Sequence, residues 1–171
     1  MEKKMNLKLT FFGLSGVGKS TIGNLIAKYY NIPCIDIDSI IEEKYGIDKI
    51  FKEYGEKEFR TIETYYLQTL AEENCLKSHI LIGGSGIIES EFNRNILKNY
   101  LSIYLEISTD LICAETLTNR PLLKLQTLEE HLKRREKYFN QADFTVHIEE
   151  RTYEENIEYI KNLIDNLKIF N

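Results

Sequence analysis

The chain has 171 residues, 43% apolar and 29% charged, with nine glycines and two prolines, which excludes collagen-like, low-complexity and disordered classes. The length fits one domain, expected over residues 1–171. Lys and Arg number 22 against 27 Asp and Glu, a net charge of −5. That balance argues against nucleic-acid binding, which leaves a basic footprint, but a small anionic ligand needs only a few placed cations.

Three cysteines, Cys34, Cys75 and Cys113, show no C-x-x-C spacing, so neither a disulfide framework nor structural zinc is expected. The expected setting is the reducing cytoplasm. No apolar run approaches the roughly 20 residues of a membrane helix, so no membrane partner is expected. The segment Met1–Leu14 is basic and then apolar, like a signal peptide. Lys8 interrupts the run, however, and a glycine loop follows in place of a cleavage site.

Taken in chain order, Leu7–Phe12 predicts a strand and Thr21–Tyr30 a helix, with Ile22, Leu25, Ile26 and Tyr29 at helical spacing. Pro33–Asp36 predicts a short strand. Ser39–Tyr45 and Ile47–Tyr54 predict short helices parted by Gly46. Glu56–Asn74 predicts a longer helix striped by Phe59, Ile62, Tyr66 and Leu70. His79–Ile82 predicts a buried strand that ends in Gly83-Gly84-Ser85-Gly86, and a helix comes next, near Glu89–Asn99.

Leu101–Ile107 predicts a strand, Asp110–Thr118 a short helix, Leu128–Gln141 a helix and Phe144–Ile148 the last strand. Thr152-x-x-Glu155 is a capping-box pattern opening a helix to about Leu167. Five strands alternating with helices predict an α/β fold, a parallel sheet covered on both faces. In such sheets ligands sit beyond the C-terminal strand ends.

Gly13-Leu14-Ser15-Gly16-Val17-Gly18-Lys19-Ser20 fits G-x-x-x-x-G-K-[ST], between a predicted strand and a predicted helix. Backbone N–H groups of such a loop converge on phosphate at a helix N-terminus. Lys19 then reaches the β- and γ-phosphates, and the Ser20 hydroxyl suits Mg²⁺. The loop residues expected at ATP are Gly13, Ser15, Gly16, Val17, Gly18, Lys19, Ser20 and Thr21. No guanine-reading N/T-K-x-D sequence occurs, and a motor ATPase needs more chain, which leaves a small-molecule or nucleotide kinase.

On the acceptor side, Asp36 and Asp38 lie at i and i+2 at a strand end, a spacing that puts strand side chains on one face. One carboxylate would serve Mg²⁺ and the other would take a hydroxyl proton. Taken alone, the pair reads equally as helix caps before Ser39. Arg60 and Glu63 are i,i+3 neighbours, either a solvent ion pair or a fixed guanidinium for a substrate carboxylate. Gly83 to Gly86 reads as a plain turn or as an anion-binding backbone.

The series Gly-x-x-Gly-x-Gly-Lys-Ser-Thr, Asp36-x-Asp38, Gly55-Glu-x-x-Phe59-Arg60-x-x-Glu63, a glycine loop and Asn119-Arg120-Pro121-Leu122-Leu123 resembles shikimate kinase over essentially the whole chain. The resemblance implies a three-layer α/β/α P-loop kinase of the nucleoside-monophosphate-kinase type, with strand order 2-3-1-4-5. It implies ATP-dependent phosphorylation of the shikimate 3-hydroxyl, in aromatic amino-acid biosynthesis, by a monomer. Lys19, Asp38 and Arg120 would be catalytic, and Ser20 and Asp36 would serve Mg²⁺. Asp38, Arg60, Gly83, Gly84, Ser85 and Arg134 would bind shikimate, and Arg120 and Arg151 would join the loop at ATP. Substrate helices would lie within about 38–75 and a lid within about 117–130.

Arg134 is assigned through Arg134-x-x-x-Tyr138-x-x-x-Ala142-Asp143, with Arg135 one register away. Four features depart from the family pattern. Ser85 replaces the third of three glycines, and Glu136 stands where Pro is usual. An adenine-stacking Arg is missing near Cys113–Glu115, and Tyr153 replaces Pro in the late adenine loop. They bear on acceptor identity and ATP affinity and leave the phosphoryl-transfer residues untouched. Ser85 and Glu136 keep open a P-loop kinase with another hydroxy-acid or polyol acceptor; a non-catalytic nucleotide-binding module is the other alternative, against which the intact Lys19, Asp36, Asp38, Arg60 and Arg120 stand.

Overall fold

The computed structural model describes residues 6–74, 77–112 and 127–167. Five strands form one sheet in the order β2-β3-β1-β4-β5, every adjacent pair parallel. They are β1 (Lys8–Phe12), β2 (Cys34–Asp36), β3 (His79–Ile82), β4 (Leu101–Glu106) and β5 (Phe144–His147). The helices are α1 (Lys19–Tyr30), α2 (Ile37–Tyr45), α3 (Ile47–Glu53), α4 (Gly55–Glu73), α5 (Glu91–Leu97), α6 (Leu128–Phe139) and α7 (Tyr153–Asn166). The expected α/β class and strand order are those of the structure.

Strand side chains alternate between faces, and the alternation divides the core in two. Leu9, Phe11, Ile80, Ile82, Ile103 and Leu105 pack with Ile22 and Ile26 of α1 and Ile160 and Ile164 of α7. Their neighbours Leu81 and Tyr104 face the other way, into Ile41 of α2, Ile50 of α3, Phe59, Tyr66 and Leu67 of α4, Leu97 of α5 and Phe139 of α6. The result is three layers. The phosphate loop reaches into both clusters: Leu14 belongs to the second and Val17 to the first.

Several local expectations shift. In α1 the buried stripe is Ile22, Gly23, Ile26 and Ala27, while Leu25 and Tyr29 are exposed, because only about one face of the helix meets the sheet. The helix expected near Glu89–Asn99 is split. Ile87–Glu89 makes a 3-10 turn, Ser90 turns extended, and its side chain caps α5 at the Asn93 amide. Of the helix expected at Asp110–Thr118 only residues 110–112 lie within the described residues, and there Thr109–Leu111 forms a 3-10 turn. Capping boxes open α7 at Thr152–Glu155, as expected, and also α6 at Thr127–Glu130.

Candidate active site

β1, β2 and β3 end at one edge of the sheet, and the segments leaving these three strand ends enclose a cleft of about 280 Å³. It is lined by Gly16, Gly18, Lys19, Ser20 and Thr21 after β1, Asp36 at the end of β2 with Asp38 and Ser39 beyond it, and Gly83 and Gly84 after β3. Gly18, at φ 97°, makes the left-handed turn into α1 that a residue with a β-carbon adopts only under strain. No side chain caps α1, so its first N–H groups point toward the cleft, where the helix dipole favours an anion. The Lys19 ammonium donates to the Gly13 and Leu14 carbonyls at 3.0 and 2.9 Å, which holds it against the loop.

The Ser20 hydroxyl donates to Asp36, across from α1 to β2. Asp36 also accepts from the Ser39 amide at 3.3 Å, so it is at once the α2 cap and a neighbour of Ser20. Asp36 and Asp38 do not share the strand face that their spacing predicts. Asp38 lies in the first turn of α2 rather than on the strand. The helix begins immediately at Ile37, because the buried Ile37 and Ile41, four residues apart, pack into the core together. Both carboxylates nonetheless line the cleft.

On α4, Arg60 donates to Glu63 at 2.9 Å and to Glu56 at 3.3 Å. Glu63 is fully buried, and its Oε1 has no hydrogen-bond partner among the described residues. The backbone after β3 passes beside these groups. A β-carbon on Gly84 would come within 3.0 Å of Asp38 and 3.2 Å of Glu63, and one on Gly86 would overlap the Arg60 guanidinium. Burial, with Asp38 nearby, pushes the Glu63 carboxyl up to about 7 even though Arg60 opposes the shift. For Arg60, burial disfavours charge, but Glu63, Glu56 and Glu89 outweigh it and hold the guanidinium above its ordinary value.

Glu89 collects the two arginines of α6. Its Oε1 accepts from Arg135 Nε at 2.5 Å and Arg134 Nη2 at 3.0 Å. Burial acts against the Glu89 charge, but these two arginines prevail and hold its carboxyl below the ordinary range. Arg135 is the buried one, with a 2% exposed side chain against 38% for Arg134. Arg135 Nη1 also donates to Ser85 Oγ at 2.9 Å. Arg94 braces the 3-10 turn, donating to the Ile88 and Glu89 carbonyls while lying over the Tyr138 ring.

Sequence reasoning named Arg60, Glu63, Ser85 and Arg134. It did not find Glu89, whose only signal was an acid soon after a glycine loop. Nor did it give Arg135 a partner. Arg151 lies after β5, over the Tyr159 ring, and is not among the residues lining the cleft. Arg120 and the greater part of the expected lid lie outside the described residues. Among the described residues no three His, Cys, Asp or Glu come together as a metal cage. The hydroxyl and carboxylate of Ser20 and Asp36 are hard oxygen donors, of the kind Mg²⁺ takes when phosphates and water complete its shell.

A phosphate loop at the first strand end of a 2-3-1-4-5 parallel sheet, facing acidic and basic groups after β2 and β3, defines a P-loop kinase with a hydroxyl acceptor site. A family model described as Shikimate kinase matches residues 15–166, and the chain belongs to the shikimate kinase family. It is 36% identical to a shikimate kinase of Rhizobium leguminosarum over 146 residues, 81% of this chain and 74% of that one. It is 31% identical to a shikimate kinase of Thermodesulfovibrio yellowstonii over 161 residues, 89% and 91% of the two chains. The solved shikimate kinase of Acinetobacter baumannii in complex with shikimate superposes with a TM-score of 0.86 at 30% identity, covering 96% of each chain.

Proposed function

We propose that this protein transfers the γ-phosphoryl group of ATP to the 3-hydroxyl of shikimate, giving shikimate 3-phosphate and ADP. The observation that carries the reading is the convergence of Asp38, the Arg60–Glu63 pair and the glycine backbone after β3 beside the phosphate loop. Arg60, oriented by Glu63, grips the acceptor carboxylate, and Arg134, the more exposed of the two α6 arginines, supplies a second donor. Asp38 accepts the hydroxyl proton as the new O–P bond forms and the bond from the γ-phosphorus to ADP breaks.

Lys19 exchanges its two loop carbonyls for the β- and γ-phosphate oxygens and stabilises charge as it moves to the leaving ADP. The loop amides and the α1 N-terminus seat the phosphates. Ser20 and Asp36 would hold Mg²⁺, which supplies charge neutralisation on the phosphates when bound. Most of the rate then comes from positioning and electrostatics. The reading includes a cytoplasmic monomer serving aromatic amino-acid biosynthesis. It is a single kinase domain over residues 1–171, with acceptor helices within 38–75 and a lid within 117–130 bearing Arg120.

Ser85, with its hydroxyl on the acceptor loop, favours one alternative, a different hydroxy-acid or polyol. ADP release measured with shikimate, gluconate and nucleoside monophosphates decides between them. Shikimate-dependent release at high kcat/KM is expected. Its absence, with turnover on gluconate, would establish the alternative.

A further inference from the structure

We propose that Ser85 is a positioning residue that ties the acceptor-side arginines to the phosphate loop, so that acceptor and nucleotide strengthen each other's binding. The inference rests on the acceptor assignment above. Ser85 is buried, and its Oγ stands 2.9 Å from Arg135 Nη1 and 3.1 Å from Ser15 Oγ. Two hydrogen bonds thus link α6, the loop after β3 and the phosphate loop, segments 50 and 70 residues apart in the chain.

The chemistry of the groups fixes the first bond of the chain. A guanidinium only donates, so Ser85 Oγ accepts from Arg135. Either hydroxyl can donate in the second bond; when Ser85 donates to Ser15, the Ser15 proton is left to point onward at an anion held by the loop. Bonds in such a chain polarise one another in a buried setting. Arg135 is anchored through Nε and Nη1, while its Nη2 is buried without a hydrogen-bond partner among the described residues. Burial, with Arg60 and Arg134 nearby, keeps the Arg135 guanidinium below its ordinary value against the pull of Glu89.

The acceptor enters through Glu89. Arg134 and Arg135 share one oxygen of that carboxylate. An acceptor carboxylate that draws Arg134 away leaves Glu89 to Arg135 alone. Arg135 is then fixed more firmly, and with it Ser85 and Ser15. By linkage the effect is reciprocal, and a nucleotide that orders Ser15 favours the same arrangement at the acceptor.

Titration calorimetry of ADP with and without saturating shikimate, and of shikimate with and without saturating ADP, tests this on the wild type, Ser85→Ala and Ser15→Ala. In the wild type each ligand is expected to lower the other's Kd by the same factor, about fivefold or more, and in both variants that factor is expected to fall below about twofold. A merely structural role would change the separate Kd values and leave the factor alone. A factor that survives Ser85→Ala, or a wild type without one, overturns the relay. A wild type that does not bind shikimate overturns the acceptor assignment and the relay with it. Should Ser85→Ala fail to fold, Ser15→Ala decides, because it cuts the same chain at its other end.

Discussion

Arg60 and Glu63 form an ion pair at 2.9 Å in which the acid is fully buried and the base keeps one edge toward solvent. The acid therefore has no role at the surface. In the proposed reading it sets the direction of the guanidinium, and its own protonation state controls how firmly it does so. Because burial raises the Glu63 carboxyl to about 7, the pair is fully ionic only above that pH.

The KM for shikimate should accordingly rise as the pH falls through about 7, while the KM for ATP changes less. The Glu63→Gln variant should show the high acid-side KM at every pH. Stability carries the opposite dependence. A carboxyl raised above its unfolded value binds its proton more tightly when folded, so its contribution is complete below the ordinary Glu range and is lost as the pH rises to about 7. Steady-state KM against pH, with thermal melts over the same range, checks both.

Arg60→Ala should raise the KM for shikimate about 10- to 150-fold, the equivalent of the ~1.5–3 kcal/mol of a charged hydrogen bond, with the KM for ATP nearly unchanged. Equal changes in both constants would make Arg60 a structural residue.

Gly86→Ala should reproduce much of that effect with Arg60 still in the sequence. The new β-carbon would overlap the guanidinium, and the φ of −92° at this position is open to alanine. The flexible end of Arg60 would give way rather than the backbone. The variant should thus melt near the wild type and bind shikimate poorly, a pairing that melts and a KM measurement together reveal.

Asp38→Asn should lower kcat about 10²- to 10⁴-fold, the usual worth of a general base. Nucleotide binding, read by calorimetry with ADP, should persist. Turnover at the wild-type rate would remove Asp38 from the proton transfer.

Lys19→Ala should lower kcat at least about 100-fold, as expected for loss of a principal charge-stabilising donor. Turnover in the wild type that disappears in this variant excludes a non-catalytic nucleotide module.

The fold was legible because its signals are local and repeated. Short apolar runs bounded by turn residues, helical stripes and the Thr152-x-x-Glu155 capping pattern are each set within a few neighbouring residues. The phosphate loop was legible for the same reason. The features that escaped depended on tertiary contacts. Asp38 moved from strand to helix because Ile37 and Ile41 are buried together. Arg134 and Arg135 are adjacent and chemically alike in sequence, and only the approach of Glu89 and Ser85 gives them different places. Glu89 joined the site through a 3-10 turn where a continuous helix was expected, and that turn is braced from a distance by Arg94.

Leu14 and Val17 sit three residues apart in the phosphate loop, yet each is buried in a different layer of the core. The loop is thus riveted through the end of the sheet, with one head on each side. Loosening either layer loosens the seat of the nucleotide. A cavity opened far away, at Ile164 beneath α7 or at Leu67 beneath α4, should weaken ATP binding as well as lower the melting temperature. In this molecule the rigidity of the whole sandwich is part of the phosphate site.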